Sequence, residues 1–272
     1  MNLKKQSVFL LTVCALFFAV SCSEQTEPQA KTEMPSESAP ESTPESVPPS
    51  LEDLLTNPGR ASTDQARDAG RKPAAVMAFL GVNPGMTVVD LLAAGGYYTE
   101  VLSLAVGSHG KVYAHNTAGM LSYRDGANDK AMTARLADNR LTNVERWDRE
   151  FSDFGLEEGS VDVAITALNF HDIYNNGGTG AAQGVLAVVK TILKPGGILG
   201  IIDHVGDPDG DNKKLHRIDP DIVRAEVSKA GFEIDDESSV LANPEDNHDG
   251  SVFGELRGKT DRFVIRLRKA EE

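Results

Sequence analysis

Cysteine is almost absent from this 272-residue chain: the only two, Cys14 and Cys22, fall within its first 22 residues. Everything after Cys22 lacks a thiol, which excludes a disulfide framework, a thiolate metal site and a cysteine nucleophile from the folded part. Basic residues are also in deficit, 27 Lys and Arg against 41 Asp and Glu, a formal net charge of −14. Nucleic-acid affinity rests on Lys and Arg neutralising phosphates, so no nucleic-acid partner is expected. Aromatic residues are few, 6% with a single Trp, yet 40% apolar and 25% charged residues are ordinary for a globular protein. Wholesale disorder and fibrous architectures are thereby excluded.

The two cysteines belong to a targeting segment. Lys4 and Lys5 precede the uncharged stretch Ser7 to Val20, whose 14 residues suit a signal-peptide core and fall short of the ~20 needed to span a bilayer. The stretch closes on Ala19-Val20-Ser21-Cys22 and turns polar at once. This resembles a bacterial lipobox, which implies a signal peptide over residues 1–21, lipid modification of Cys22, and an exported, membrane-anchored lipoprotein on the periplasmic side. Residues 23–50 hold six Pro, six Ser and six Glu. Such a chain buries too little to offset its ordering entropy, so residues 22–50 read as a disordered linker. Without the linker's six Glu and one Lys, and without Lys4 and Lys5, residues 51–272 keep 24 basic and 35 acidic side chains, net −11.

From residue 51 onward, strand and helix signals alternate. A helix is expected from about Ala61 to Leu80, ended by Gly81 and Pro84. Thr87 to Leu92 is an apolar run with one acid, as in a strand covered on both faces. Further strands are expected at Lys111–Ala114, Val144–Trp147, Val161–Leu168 and Ile198–Asp203, with helices at Thr99–Val106, Ala181–Leu193 and Asp219–Ala230. Phe232–Val240 and Arg262–Leu267 form a late pair of strands. The fold class is therefore α/β: a Rossmann-like, seven-stranded, mostly parallel sheet with helices on both faces and an antiparallel terminal strand.

A parallel strand ending in a small-residue turn before a helix lets a ligand approach the backbone. Val88-Val89-Asp90-Leu91-Leu92-Ala93-Ala94-Gly95-Gly96 supplies that arrangement. This stretch resembles the first motif, acid-x-Gly-x-Gly-x-Gly, of class I S-adenosylmethionine-dependent methyltransferases. Asn169-Phe170-His171-Asp172, His216 to Asp219 and Arg257 to Phe263 are similar to a bacterial subgroup of predicted methyltransferases. The resemblance covers about residues 60–269. It departs from the pattern where Leu92 and Ala94 stand in place of the first two glycines.

The resemblance implies S-adenosylmethionine as cofactor, a small-molecule acceptor, and cofactor contacts from Asp90, Ala94, Gly95, Gly96, Asn116 and Asp148. Asp90 would hold the ammonium, Asn116 the ribose hydroxyls and Asp148 the adenine amino group. The loop after the fourth strand, Asn169 to Tyr174, is where this fold faces the transferred methyl. His171 is the candidate general base because its ordinary pKa lies near neutrality; Asn169, Asp172 and His204 are its companions. Asp207, Asp209 and Asp211 lack the closing Glu of a calcium loop. With neither thiols nor a helical H-x-x-x-H, no metal is expected. The eroded glycines leave a second reading open, a non-catalytic ligand-binding or scaffold lipoprotein on the same fold.

Overall fold

A computed structural model describes residues 49–271. The signal peptide, Cys22 and nearly all of the linker lie outside these residues. Seven strands form one sheet: β1 Thr87–Leu91, β2 Lys111–Asn116, β3 Val144–Asp148, β4 Val161–Ala167, β5 Leu193–His204, β6 Phe232–Ser238 and β7 Arg262–Lys269. Their spatial order is β3-β2-β1-β4-β5-β7-β6. All pairs are parallel except those made by β7, which runs antiparallel to both β5 and β6. The antiparallel terminal strand is thus inside the sheet, and β6 is the edge. Strand order reverses between β1 and β4, the switch point at which ligands bind in open α/β sheets.

The helices are α1 Leu51–Leu55, α2 Ser62–Arg71, α3 Pro73–Leu80, α4 Tyr97–Val106, α5 Ala118–Leu136, α6 Phe170–Ile192, α7 Asn212–Leu215 and α8 Pro220–Lys229. Neighbouring β1 residues point to opposite faces. Val88 packs with Met77, Leu80, Val101 and Leu102 of α3 and α4. Val89 and Leu91 pack on the other face with Leu186, Val189 and Val227 of α6 and α8. This two-sided cover explains the unbroken apolar run of β1. Among the described residues no helix is long and apolar enough to cross a membrane.

Three expectations need correction. The helix expected over Ala61–Leu80 is two helices, because Lys72 between them takes a left-handed φ of 41° and Pro73 opens α3; proline disfavours helical geometry in the residue before it. The stretch Asn169–Tyr174 is no loop. It starts α6, with Asn169 at the N-cap and one interruption at Gly178. Helix α5 has no counterpart among the expected elements; it breaks at Tyr123–Gly126, which leave helical geometry, and its apolar face is weak.

The turn after β1 keeps the shape of a glycine-rich turn without the glycines. Leu92, Ala94 and Gly96 all have left-handed φ, 53°, 50° and 81°. A side chain in that region costs about 1–2 kcal/mol, so Leu92 and Ala94 are held there by their surroundings. Asn116 does much of this, accepting from Ala94 N (2.8 Å) and donating to Ala94 O (3.2 Å). Arg135 of α5 donates to Gly95 O at 2.7 Å and is itself held by Asp64 and Glu100. A Cβ at Gly96 would lie 2.9 Å from Met132 Cε and 3.0 Å from Arg135 Cδ. Ala94→Gly should therefore raise stability by up to about 1 kcal/mol, strain relief exceeding the added unfolded-state entropy. Gly96→Ala should lower it by about 1–3 kcal/mol. Urea denaturation of both variants checks the contrast.

Candidate functional site

The carboxyl ends of β1, β2, β4 and β5 open on one cavity of about 760 Å³. Its floor at the switch point is Ala94 and Leu168, and Gly119, Met120, Tyr123 and Asn128 of α5 form one end. At the other end Asn169, His171 and Asp172 of α6 meet His204 from β5, His216 from the turn after α7, and Phe253. Arg67, Gly70 and Arg71 of α2 also line it, with Arg257 ahead of β7 and Arg262 at the start of β7. A smaller cleft of about 340 Å³ lies at the opposite edge of the sheet around Asp162 and Lys194, away from these groups.

Asp203 organises the histidine end. Its side chain is fully buried and accepts from His171 N at 2.8 Å and His204 N at 2.8 Å, while His171 Nδ1 lies 2.7 Å from Asp203 Oδ1. Burial pushes the Asp203 carboxyl up, but the charge and hydrogen bonds of His171 hold it below its ordinary value. Burial likewise pulls His171 down, and the Asp203 carboxylate more than reverses this, so His171 is raised. With Asp203 ionised, His171 Nδ1–H donates to it and the free lone pair is on Nε2. His204 behaves differently: burial lowers it to about 3, so it is neutral, and its Nδ1 lies 2.7 Å from Thr260 Oγ1. His171 Nε2 lies 3.5 Å from Asp172 Oδ2, and His216 Nδ1 lies 3.1 Å from Asp172 Oδ1.

The cavity is cationic although the chain is acidic. Arg71 stacks over Tyr97 and Tyr98, 4.4 and 5.5 Å from the ring centroids. Arg262 is buried and donates only to the carbonyls of Gly70, Gly258 and Thr260. Neither meets a carboxylate among the described residues. Gly70 permits this approach, since a Cβ there would lie 2.9 Å from Gly258 O. Arg217, by contrast, is spent on structure, fully buried in a pair with Asp246 at 2.9 Å.

Of the residues expected to act in chemistry, Asn169, His171, Asp172 and His204 come together on this cavity, whereas Tyr174 packs against the core. Of those expected to hold a cofactor, only Ala94 lines it. Asp90 is buried, accepts from Thr99 Oγ1 at 2.7 Å, and is raised to about 6 by burial. Gly95 and Gly96 face α5. The amide of Asn116 is consumed by Ala94, and Asp148 accepts from Arg146 Nε at 2.6 Å. Arg71, Arg262 and His216 join the site without having been among the expected residues. His216 and Arg262 fall in the His216–Asp219 and Arg257–Phe263 stretches, which carry a signal of pattern but not of role. His115 is buried against Phe151 and Phe154, its Nε2 2.9 Å from Arg149 O.

No protein-family model matches the chain, and no curated protein does. Solved structures do. An S-adenosylmethionine-dependent methyltransferase from Aquifex aeolicus matches with a TM-score of 0.57 and 22% identity over 81% of this chain and 97% of that one. The geranyl diphosphate C-methyltransferase of Streptomyces coelicolor, solved with Mg²⁺, geranyl diphosphate and S-adenosyl-L-homocysteine, matches at 0.54 and 13% over 79% and 87%. The [4+2]-cyclase SpnF matches at 0.57 and 18% over 80% and 86%. The chain has the Rossmann-like methyltransferase fold.

The buried neutral histidines have a pH consequence. Burial lowers His115 to about 4, below the ~6.5 of an unfolded histidine. The unfolded chain therefore takes up a proton first, and stability falls as pH drops from 6.5 toward 4. His115→Gln should flatten that limb by up to about 3 kcal/mol. Denaturant midpoints at pH 7, 5.5 and 4.5 measure it; equal slopes in parent and variant would contradict the assignment.

Proposed function

We propose that the chain is an S-adenosylmethionine-dependent methyltransferase acting on a small molecule. The observation that carries this reading is one continuous cavity joining Ala94, at the turn after β1, to His171, at the end of β4. Its volume lies within the range of cofactor sites. The residues fit the cofactor. Ala94 lines the cavity at a tight turn just before the N-terminus of α4. Asn169 donates its amide to the carbonyls of Leu92 and Ala167, leaving Oδ1 as its unused acceptor. Arg71 and Arg262 supply the positive charge that a carboxylate of cofactor or acceptor would meet.

When bound, S-adenosylmethionine supplies an electrophilic methyl group on a sulfonium. The chain's own part is to align an acceptor with it and to take up a proton. His171 is placed to take up that proton, because Asp203 fixes its tautomer, leaves Nε2 free, and stabilises the imidazolium formed. His204, neutral and less basic, is placed to accept a hydrogen bond from the acceptor. The neighbours' described activities, which include a cyclase, support the fold and leave the acceptor to the site.

A second reading, a ligand-binding protein of the same fold without turnover, is favoured by one feature. Among the described residues, no carboxylate lines the cofactor end of the cavity; Asp90 and Asp148 are engaged elsewhere. Both readings put the domain outside the cytoplasm, tethered by lipid on Cys22 through the Pro/Ser/Glu-rich linker.

Titration calorimetry of the chain with S-adenosylmethionine and S-adenosylhomocysteine should show binding of both, and Ala94→Trp should abolish it with the fold intact. Absence of binding by the parent sinks the first reading. Where an acceptor screen detects S-adenosylhomocysteine release, His171→Ala should lower turnover by about 10²–10⁴-fold and leave cofactor affinity within threefold. Binding without release across the screen favours the second reading. Cys22→Ser should move the protein from the membrane to the soluble fraction or leave it unprocessed; unchanged fractionation and migration would refute the anchor.

A further inference from the structure

Three side chains at the histidine end of the cavity have the composition and spacing of a metal site that sequence spacing does not suggest. His171 and Asp172 are adjacent at the start of α6, while His216 arrives from 44 residues away at the C-cap of α7. One ligand atom from each lies within 4.8 Å of the others. The closest approaches, 3.1 Å for His216 Nδ1 to Asp172 Oδ1 and 3.5 Å for His171 Nε2 to Asp172 Oδ2, match the roughly 3–3.5 Å between ligands that bonds of about 2.0–2.2 Å impose. His216 and Asp172 are part-exposed, so small rotations close the widest gap.

A second observation points the same way. Metal-ligating histidines usually donate their other ring N–H to a carboxylate, which fixes the tautomer and directs the lone pair at the metal. Asp203 does this for His171: the carboxylate is fully buried, 2.7 Å from Nδ1, and also accepts from the His171 backbone N–H. His171 is thereby held with Nε2 toward Asp172 and His216. His216 adopts a left-handed φ of 56°, a conformation that is strained for a residue with a Cβ, and its ring is packed edge-on by Phe253 at 4.9 Å.

We propose that His171, Asp172 and His216 bind one divalent transition-metal ion, of the zinc, cobalt, manganese or iron class, with open coordination positions facing the cavity. Two imidazoles and one carboxylate suit these ions rather than Ca²⁺ or Mg²⁺, which prefer all-oxygen sets. The open positions are left for oxygen ligands. With the ion bound, His171 Nε2 is a ligand, so its proton-accepting role belongs to the metal-free protein. A dication beside Arg262 makes this end of the cavity selective for an anion, and an acceptor bearing a hydroxyl or carboxylate would bind there; only that last step rests on the methyl-transfer reading.

The test uses the full chain, stripped with a chelator and titrated with Co²⁺ alone, then Zn²⁺ alone. One equivalent of Co²⁺ should bind, with the visible absorption of a nitrogen- and oxygen-ligated ion, and Zn²⁺ should displace it. His216→Ala and Asp172→Ala should each weaken binding by at least about 100-fold, and Asp203→Asn by about 10–100-fold, as loss of a carboxylate behind a ligating histidine does. His248→Ala, a histidine paired with Asp261 that does not line this cavity, should leave it unchanged. Because His216 is part-exposed, its variant keeps the fold, which circular dichroism verifies. Equal Co²⁺ affinity in parent and His216→Ala, or less than half an equivalent in the parent, overturns the proposal. S-adenosylhomocysteine calorimetry on the same metal-free and loaded samples separates the two readings: metal binding without it refutes methyl transfer alone, and its binding without metal refutes the metal site alone.

Discussion

A carboxylate taken fully out of water must recover its lost hydration from donors on the protein, and at the end of β5 that requirement shapes the site. Asp203 recovers it from His171 N–H, His171 Nδ1–H and His204 N–H. Those bonds join β5 to the first turn of α6, and so to the end of β4. They also divide two neighbouring histidines into different kinds. His171, facing the carboxylate through its ring, is raised, whereas His204, facing Thr260, falls to about 3. One buried charge thus fixes a tautomer, separates two basicities and sets the wall of the cavity.

The other end of the cavity depends on a turn whose conformation outlasts its usual residues. Leu92 and Ala94 occupy left-handed positions that glycine would take without cost. Asn116 pins Ala94 through both backbone groups, and Arg135 bonds Gly95 while spanning to α2 and α4 through Asp64 and Glu100. Such local strain persists only when the surroundings over-determine it. The same bonds explain why Asn116 and Asp90 do not face the cavity: one amide holds the turn, and one carboxylate holds the α4 hydroxyl of Thr99.

Positive charge is concentrated in a chain whose composition is poor in it. Arg71 and Arg262 are kept apart from the chain's many carboxylates by stacking on tyrosines and by carbonyl partners. Arg217, fully buried, is neutralised by Asp246. Net charge alone suggests a surface indifferent to anions; the placement of Arg71 and Arg262 gives the cavity the opposite character.

The sequence by itself determined the strands, most helices and their α/β order, because burial on both sheet faces writes continuous apolar runs such as Thr87–Leu92 and Val161–Leu168. It also marked Asn169, His171, Asp172 and His204, since strand ends are where this fold carries ligands. It could not show α5, whose breaks at Tyr123–Gly126 and weak apolar face hide it, nor that Asn169–Tyr174 begins a helix. Only the tertiary structure decided which polar side chains are spent on each other and which are free. Asp90, Asn116 and Asp148 carry the pattern of contacts to a ligand, yet their nearest partners are Thr99, Ala94 and Arg146. Bringing His216 to Asp172, and Gly70 within reach of Arg262, requires α7 to return to the start of α6 and β7 to enter the sheet beside β5, across 44 and 192 residues of chain. Sequence spacing records periodicity along one element; contacts between distant elements arise from packing, and a site assembled from four strand ends is made almost wholly of those.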